Sequence, residues 1–98
     1  MHNPQQSNPN KFIYLQLINI INMSFQAYLE NIRLKTGNDA AAFRKLAEEK
    51  GFTQNGLLKP EIKAGTIVEW LKKDYDLGHG HSMAIYALLK GIKNENSN

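Results

Sequence analysis

Cysteine is absent from this 98-residue chain, and no apolar run in it is long enough to cross a membrane. Without cysteine the chain has no disulfides, no zinc site with thiolate ligands and no thiol nucleophile, and a reducing cytoplasm is its expected compartment. The longest apolar run, residues 12–21, falls well short of the roughly 20 residues that a transmembrane helix needs. We therefore expect a cytoplasmic protein without a membrane span.

A concentrated excess of one charge is also missing. Twelve Lys and Arg against nine Asp and Glu give a formal net charge of +3, and residues 23–98 alone carry eleven against nine, or +2. Surfaces that neutralise many phosphates usually show a basic stripe, whereas here Arg44-Lys45 and Lys72-Lys73 are each soon followed by acidic residues. This pattern is typical of solvated helix faces.

Residues 1–22 differ in composition from the rest of the chain. Residues 1–10 are mostly Asn, Gln, Pro and Ser, which cannot bury enough apolar surface to become ordered. Met23 stands directly before a helix start, so we hypothesise that it is the biological start and that the leader is translated upstream sequence. The alternative is that residues 12–21 form an extra apolar segment lying on the domain.

Residues 23–93 are expected to form one all-α domain, a small orthogonal bundle of about four short helices with a single core. Residues 94–98 are expected to be a disordered tail. Alternating β-branched runs are missing, so no sheet is expected. At this length apolar burial and chain entropy nearly cancel, which leaves a net stability of about 3–5 kcal/mol unless a partner or second copy adds to it.

The first two helices follow from their caps and apolar spacing. Ser24 can accept a hydrogen bond from a first-turn backbone N–H, and Thr36-Gly37 ends the first helix. Asn38 or Asp39 caps the second helix, which runs to Lys50. The residues spaced to face the core are Phe25, Tyr28, Leu29, Ile32, Ala40, Phe43, Leu46 and Ala47.

Glycine and proline set the boundaries in the middle of the chain. Gly51 stops the second helix, Phe52 fits the hydrophobic position of a Schellman ending, and residues 53–56 are typical of a turn. Pro60 suits the first turn of a third helix, because its missing N–H costs nothing there and its fixed φ helps. That helix should reach about Asp74.

The last two helices should supply the rest of the core. Gly65 lies inside the third helix at a cost of roughly 1 kcal/mol relative to alanine, and a close helix crossing there would compensate for it. The fourth helix begins near His81 or Ser82 and runs to Lys90, where Gly91 terminates it. The inward-facing residues are Ala64, Ile67, Val68, Trp70, Leu71, Ile85, Leu88, Leu89 and Ile92.

Residues 76–82 form the one stretch whose composition helix packing alone does not explain. Gly78 and Gly80 flank His79, so they permit positive φ and let a ligand approach the backbone closely. The segment leads into a helix N-terminus, which favours an anion. The alternative is that the glycines only make a tight turn and that one of the two residues after them caps the helix. The candidate binding residues are Gly78, His79, Gly80, His81, Ser82, Lys72 and Lys73.

Metal binding and catalysis are further alternatives for this segment. His79 and His81, with Asp74 and Asp76 nearby, do not provide three or four convergent ligands, since residues two apart on a helix face different ways. Catalysis by a histidine with Ser82 or Asp76 needs a base aimed at a nucleophile in a pocket, which the spacing does not indicate. We predict no catalytic residue, no metal site and no cofactor.

Five separated motifs follow one another along residues 23–92, namely Lys35-Thr36-Gly37, Leu46-Ala47-Glu48-Glu49-Lys50-Gly51, Lys63-Ala64-Gly65, Trp70-Leu71-Lys72 and Leu77-Gly78-His79-Gly80-His81. In this order they resemble domain of unknown function 4287, a family of short bacterial domains. The resemblance begins at Met23, in agreement with the start hypothesis. It implies no ligand, so no functional residue is carried over from it.

Residues 78–84 also match the spacing Gly-apolar-Gly-x-x-x-Ala, which resembles the helix-hairpin-helix module that binds DNA backbone. The match departs in two places, because His79 replaces the apolar residue and no Lys or Arg occurs among residues 81–83. Lys72 and Lys73 partly restore the charge. The resemblance implies sequence-independent nucleic-acid binding.

The sequence therefore predicts a helical interaction module that binds a protein partner or itself, with residues 78–82 as the contact surface. The alternative is binding of nucleic-acid backbone or another phosphate ligand at the same segment and the helix N-terminus that follows it. Neither function requires a membrane or an enzyme activity.

Overall fold

Residues 24–97 are described by the computed structural model, in which helices alternate with short connections. The elements are α1 (Phe25–Thr36), α2 (Ala40–Glu49), β1 (Thr53–Gln54), β2 (Leu57–Leu58), α3 (Ala64–Tyr75) and α4 (His79–Lys90). Across this range the prediction of a small helical bundle with one core is confirmed. The leader and start-site hypotheses for residues 1–22 and Met23 lie outside the described residues.

Helices α1 and α2 begin at side-chain caps. Ser24 Oγ accepts a hydrogen bond from the Ala27 N–H at 3.1 Å, and Asp39 Oδ1 accepts one from the Ala42 N–H at 2.9 Å. Each bond pairs a first-turn N–H that has no partner within its helix. Gly37 ends α1 at φ 80°, as its position after Thr36 predicts.

Helix α2 ends in the Schellman geometry that the sequence predicts. The Gly51 N–H donates to the Glu48 carbonyl, and the Phe52 N–H donates to the Ala47 carbonyl, both at 2.9 Å. Gly51 has φ 79°, which glycine adopts without steric cost. The turn therefore directs the Phe52 side chain back onto the core.

A two-stranded hairpin follows α2, where the sequence predicts a turn and no sheet. Thr53 pairs with Leu58 and Gln54 with Leu57, in antiparallel register. Asn55 and Gly56 connect the strands with φ 55° and φ 82°. Both angles are positive, and Asn-Gly is a favoured pair for such two-residue hairpin turns. The turn prediction is confirmed, and the expectation that no strands pair is wrong for this segment.

Pro60 lies before α3, so the prediction that it starts this helix is wrong. The Ile62 N–H donates to the Lys59 carbonyl at 3.0 Å, which places Pro60 second in a four-residue turn. A turn and the first turn of a helix require nearly the same proline φ, so Pro60 alone does not distinguish them. The helix begins at Ala64, with Lys63 as its N-cap.

Gly65 is the second residue of α3 and is exposed. A Cβ built there meets no atom within 4 Å. The close helix crossing predicted at Gly65 is therefore wrong, because the glycine lies at the helix end and no neighbouring element covers it.

Helix α4 is the central element of the core, because it packs against α1, α2, α3 and β2. Most predicted core positions are buried or pack against the core, including Phe25, Ile32, Phe43, Ile67 and the α4 residues Ile85, Leu88 and Leu89. Phe43, Phe52, Trp70 and Tyr75 form an edge-to-face cluster with ring centroids 5.3 to 6.4 Å apart. Such pairs add to the stability that their buried area supplies.

Ile92 is 64% exposed, so its predicted place in the core is wrong. Gly91 has φ 85° and turns the chain away from the α4 axis. The helical spacing that links Ile92 to Leu88 and Leu89 therefore no longer applies after Gly91. No helix within residues 24–97 has the length and apolar content to span a bilayer.

Candidate functional site

The glycine-rich segment forms the first turn of α4, which begins earlier than the sequence predicts. Gly78 is the N-cap, with φ −71° and ψ 174°, and His79 is the first helical residue. The predicted start at His81 or Ser82 is therefore wrong. Neither Gly78 nor Gly80 uses the positive φ that glycine permits. Glycine is a favourable N-cap residue in any case.

Asp76, not a glycine, makes the tight turn between α3 and α4. Asp76 has φ 54°, and its N–H donates to the Lys72 carbonyl at 3.1 Å. The Leu77 N–H donates to the Leu71 carbonyl at 3.2 Å, and Leu77 is only 1% exposed. Aspartate enters the left-handed region more readily than most residues, because its short side chain can hydrogen-bond locally. The buried Leu77 thus holds the start of α4 against α3.

The candidate residues differ in how accessible the fold leaves them. Gly78, His79 and Gly80 are exposed, whereas His81 is half-buried and Ser82 is 0% exposed. Ser82 therefore offers no surface for a partner in this conformation. The exposed part of residues 78–82 therefore consists of Gly78, His79 and Gly80, of which only His79 has a side chain.

Two side-chain atoms on this turn are buried without a hydrogen-bond partner among the described residues, His81 Nε2 and Ser82 Oγ. The rings of His81 and Tyr28 pack edge-to-face with centroids 5.5 Å apart. This contact joins α4 to α1 and accounts for the burial of the imidazole. The structure therefore gives His81 a packing role between the two helices.

A groove lies beside the first turn of α4, and we call it the corner groove. It has a volume of about 400 Å³ and is lined by Lys35, Val68, Lys72, Asp76, Leu77, Gly78 and His79. The fold thus brings together Lys72, Gly78 and His79 from the candidate set. Lys73 lines a different groove, next to Lys50, Trp70 and Asp74.

Lys35 is a groove residue that the sequence does not indicate. It lies in the last turn of α1, far from residues 72–79 along the chain, and it is exposed. Only the packing of α1 on α4 places it at the corner groove. Lys35 belongs to the motif Lys35-Thr36-Gly37, but this motif marks a helix end and does not indicate a groove.

The corner groove has a positive electrostatic character. Lys35 and Lys72 line it, and Asp76 is the one carboxylate among its lining residues. Gly78 has no side chain to accept from the first-turn N–H groups of α4, and the helix has no side-chain cap. These N–H groups and the helix dipole favour a negatively charged group at this end. The groove can therefore accommodate an anionic side chain or ligand.

Residues 24–91 match a protein family described as Domain of unknown function (DUF4287). The chain belongs to the DUF4287 family. The matched range contains every helix and strand found within residues 24–97, and also the corner groove. No curated protein and no solved structure matches the chain.

The DUF4287 match confirms the family resemblance drawn from the five motifs. The structure places four of these motifs at helix ends, namely Lys35-Thr36-Gly37, Leu46–Gly51, Lys63-Ala64-Gly65 and Leu77–His81. The similarity to the helix-hairpin-helix module stays a prediction.

Metal-binding side chains do not converge in the described part of this DUF4287 domain. Within residues 24–97, no group of three His, Asp or Glu residues lies close enough to hold a metal ion. His79 is exposed while His81 packs on Tyr28, so the two imidazoles occupy different environments.

Proposed function

We propose that this DUF4287 domain is a binding module without catalytic activity that recognises a protein partner through the corner groove. The observation that supports the proposal is the exposed, glycine-flanked first turn of α4, which opens beside a groove of about 400 Å³. Glycine leaves the backbone accessible there, and the anchor side chains of protein partners commonly fill pockets at an interface. Since the chain has no cysteine, the reducing cytoplasm is the compartment that we propose.

The charge of the groove favours a partner with an acidic segment. Lys35 and Lys72 attract a carboxylate, and the uncapped N–H groups of α4 can donate hydrogen bonds to it. Val68 and Leu77 add apolar surface to the lining. A second copy of the chain is the alternative partner, and a molar-mass measurement over a range of concentrations distinguishes the two.

Nucleic-acid backbone or another phosphate ligand is the second candidate. The same two lysines and the same helix N-terminus favour it, because phosphate is recognised by these groups as well. Salt separates the candidates: binding that neutralises several phosphates weakens steeply as salt rises, whereas an interface with one or two carboxylates responds much less.

Two glycine variants test whether the first turn of α4 is the contact surface. Gly80 and Gly65 are each the second residue of a helix, and both are exposed. Gly80→Val introduces a side chain on the exposed first turn of α4, one residue after the groove residue His79, and Gly65→Val makes the same change at the start of α3. A Cβ at Gly80 lies 4.0 Å from Tyr28, and one at Gly65 has no neighbour within 4 Å, so neither change forces a clash at that atom.

The probes are a blocked acidic peptide, inorganic phosphate and a short DNA duplex, each titrated while backbone amide shifts are recorded. We expect the peptide to shift the amides of Gly78 to His81, and Gly80→Val to weaken this binding while Gly65→Val preserves it. Loss of binding in both variants would point to a general effect on folding. Intact peptide binding in Gly80→Val, at unchanged helicity, would contradict the proposed contact surface.

A further inference from the structure

The C-terminal tail lies against α2 through one ion pair between residues far apart in the sequence. Arg44 Nη1 donates to Glu95 Oε2, and Arg44 Nη2 donates to Glu95 Oε1 at 2.9 Å. Both carboxylate oxygens are engaged by the planar guanidinium, a geometry that lysine does not provide. Arg44 is thus oriented to bind a carboxylate with two hydrogen bonds.

The tail turn, residues 94–97, holds Glu95 in this position by local hydrogen bonds. The Asn94 N–H donates to Ser97 Oγ at 2.9 Å, and the Ser97 N–H donates to the Asn94 carbonyl at 2.9 Å. The Asn96 N–H donates to Asn94 Oδ1 at 2.8 Å. These bonds define a turn over residues 94–97, and the expectation of a disordered tail stays a prediction. Because the turn is almost entirely exposed, its release from α2 uncovers little apolar surface.

A second groove begins at Arg44, and we call it the Arg44 groove. It has a volume of about 370 Å³ and is lined by Arg44, Lys45, Glu48, Thr53, Gly56 and Leu89. Leu89 and Thr53 are buried residues, so the groove reaches down to the core. Its lining includes two basic residues, Arg44 and Lys45, and one acidic residue, Glu48. Charge complementarity therefore favours a segment that carries a carboxylate next to an apolar side chain.

We propose that Arg44 is a carboxylate-binding site for an acidic segment of a protein partner, and that Glu95 of the chain's own tail occupies this site in the free domain. The tail acts as an internal competitor. A partner carboxylate replaces Glu95 on the guanidinium, and the apolar residue beside it enters the Arg44 groove.

The ion pair between Arg44 and Glu95 is weak enough for a partner carboxylate to replace Glu95. Arg44 and Glu95 keep 34% and 47% of their side-chain surface exposed, and exposed ion pairs contribute little free energy. A partner that adds apolar contacts in the groove can therefore displace Glu95. The Arg44 groove shares no lining residue with the corner groove, so the two proposals can fail independently.

The test compares the full-length wild type with three full-length variants. Glu95→Gln weakens the internal competitor, and Glu95→Gln combined with Arg44→Lys also removes the bidentate geometry while keeping the charge. Glu61→Gln is the matched control, because Glu61 is an exposed carboxylate before α3 and lines neither the Arg44 groove nor the corner groove. The probes are the blocked peptide Gly-Leu-Glu-Leu-Gly and the same peptide with Gln in place of Glu. Their binding is measured from the backbone amide shifts of the domain.

We expect the Glu peptide to bind Glu95→Gln about two- to fivefold more tightly than the wild type, the range expected for releasing one exposed ion pair. The shifted amides should be those of Lys45, Thr53, Gly56 and Leu89. The double variant should lose this gain in affinity, and Glu61→Gln should bind the Glu peptide as the wild type does. The Gln peptide should bind every variant more weakly.

Equal affinity of the wild type and Glu95→Gln for the Glu peptide would overturn the proposal. Amide shifts confined to residues 78–81 would also overturn it, and would instead support binding at the corner groove alone. A DNA duplex that shifts the Arg44 groove amides more strongly than the peptide would overturn the choice of a protein ligand. Unchanged amide dispersion in each variant shows that the comparison is made on folded protein.

Discussion

Arg44 and Glu95 change each other's ionisation. The hydrogen bonds from Arg44 are the main cause that lowers the pKa of Glu95 below its ordinary value, and the same contact raises the pKa of Arg44. Glu30 and Arg33 form a similar pair within α1, and there too the hydrogen bond is the main cause of the lowered Glu30 pKa. The lowered pKa of Glu95 is therefore a measurable sign of the contact between the tail and α2.

The pair predicts a pH dependence with a definite sign. The pKa of Glu95 is lower in the folded chain than in the unfolded chain. The contact therefore contributes stability above the ordinary carboxyl pKa and loses it as the pH falls through the folded value. We expect Arg44→Gln to raise the pH at which the Glu95 side-chain carboxyl is half-titrated. The ¹³C shift of this carboxyl, recorded against pH, measures the midpoint. Glu30 should keep its low midpoint in the same variant, and an unchanged Glu95 midpoint would show that the pair is absent in solution.

His81 and Ser82 show how burial changes the meaning of a residue. In the sequence both stand in a glycine-rich segment and are candidates for binding. In the structure Ser82 is inaccessible, and the ring of His81 packs edge-to-face with that of Tyr28. Neither outcome follows from local composition, because the covering residue comes from α1.

At the level of secondary-structure elements, the hairpin after α2 depends on its two-residue turn. Gly56 has φ 82°, and a Cβ there would meet no atom within 4 Å. Any cost of Gly56→Ala therefore arises from the backbone conformation and not from a clash. Asn55 also has a positive φ, at 55°.

We expect Gly56→Ala to lower the free energy of unfolding by about 1–2 kcal/mol, the cost of placing an L-residue in the left-handed region. Asn55→Gly should have a much smaller effect, since glycine adopts this φ freely. Urea unfolding followed by the fluorescence of Trp70 measures both, because Trp70 is the only tryptophan of the chain. Equal effects of the two variants would contradict the hairpin geometry.

Among the features of the secondary-structure elements, the helix ends were the most predictable from the sequence. Ser24, Gly37, Gly51 and Gly91 each end or begin a helix where the sequence predicts it, because a cap depends on residues within a few positions of one another. Pro60 and Gly78 were less informative. A proline suits a turn and a helix start equally well, and a glycine can be an N-cap without using positive φ.

For the whole molecule, the single core sets the margin of stability. Phe43 is 0% exposed and lies in the aromatic cluster with Trp70 and Tyr75. Burial of Tyr75 is the main cause that raises the pKa of its hydroxyl. A small domain has few other contacts to compensate for a loss in this cluster.

We expect Phe43→Ala to cost about 3–5 kcal/mol, which is comparable with the whole expected stability of about 3–5 kcal/mol for a domain of this size. The variant should therefore be largely unfolded at 25 °C, measured as loss of helical signal in far-ultraviolet circular dichroism. Leu34→Ala is the control, because Leu34 is 67% exposed and such changes usually stay within about 0.5 kcal/mol. A folded Phe43→Ala domain would show that the aromatic cluster is not the centre of the core.

The sequence by itself determined the helical class, the positions of most helix ends and most of the core residues, because caps and apolar spacing act over only a few residues. It also indicated the segment around Gly78 and His79. The tertiary structure alone decided that Lys35 joins Lys72 at the corner groove, that Ser82 is buried and that Glu95 binds Arg44. These contacts join elements distant in the chain, so their geometry depends on how the helices pack and not on any local pattern.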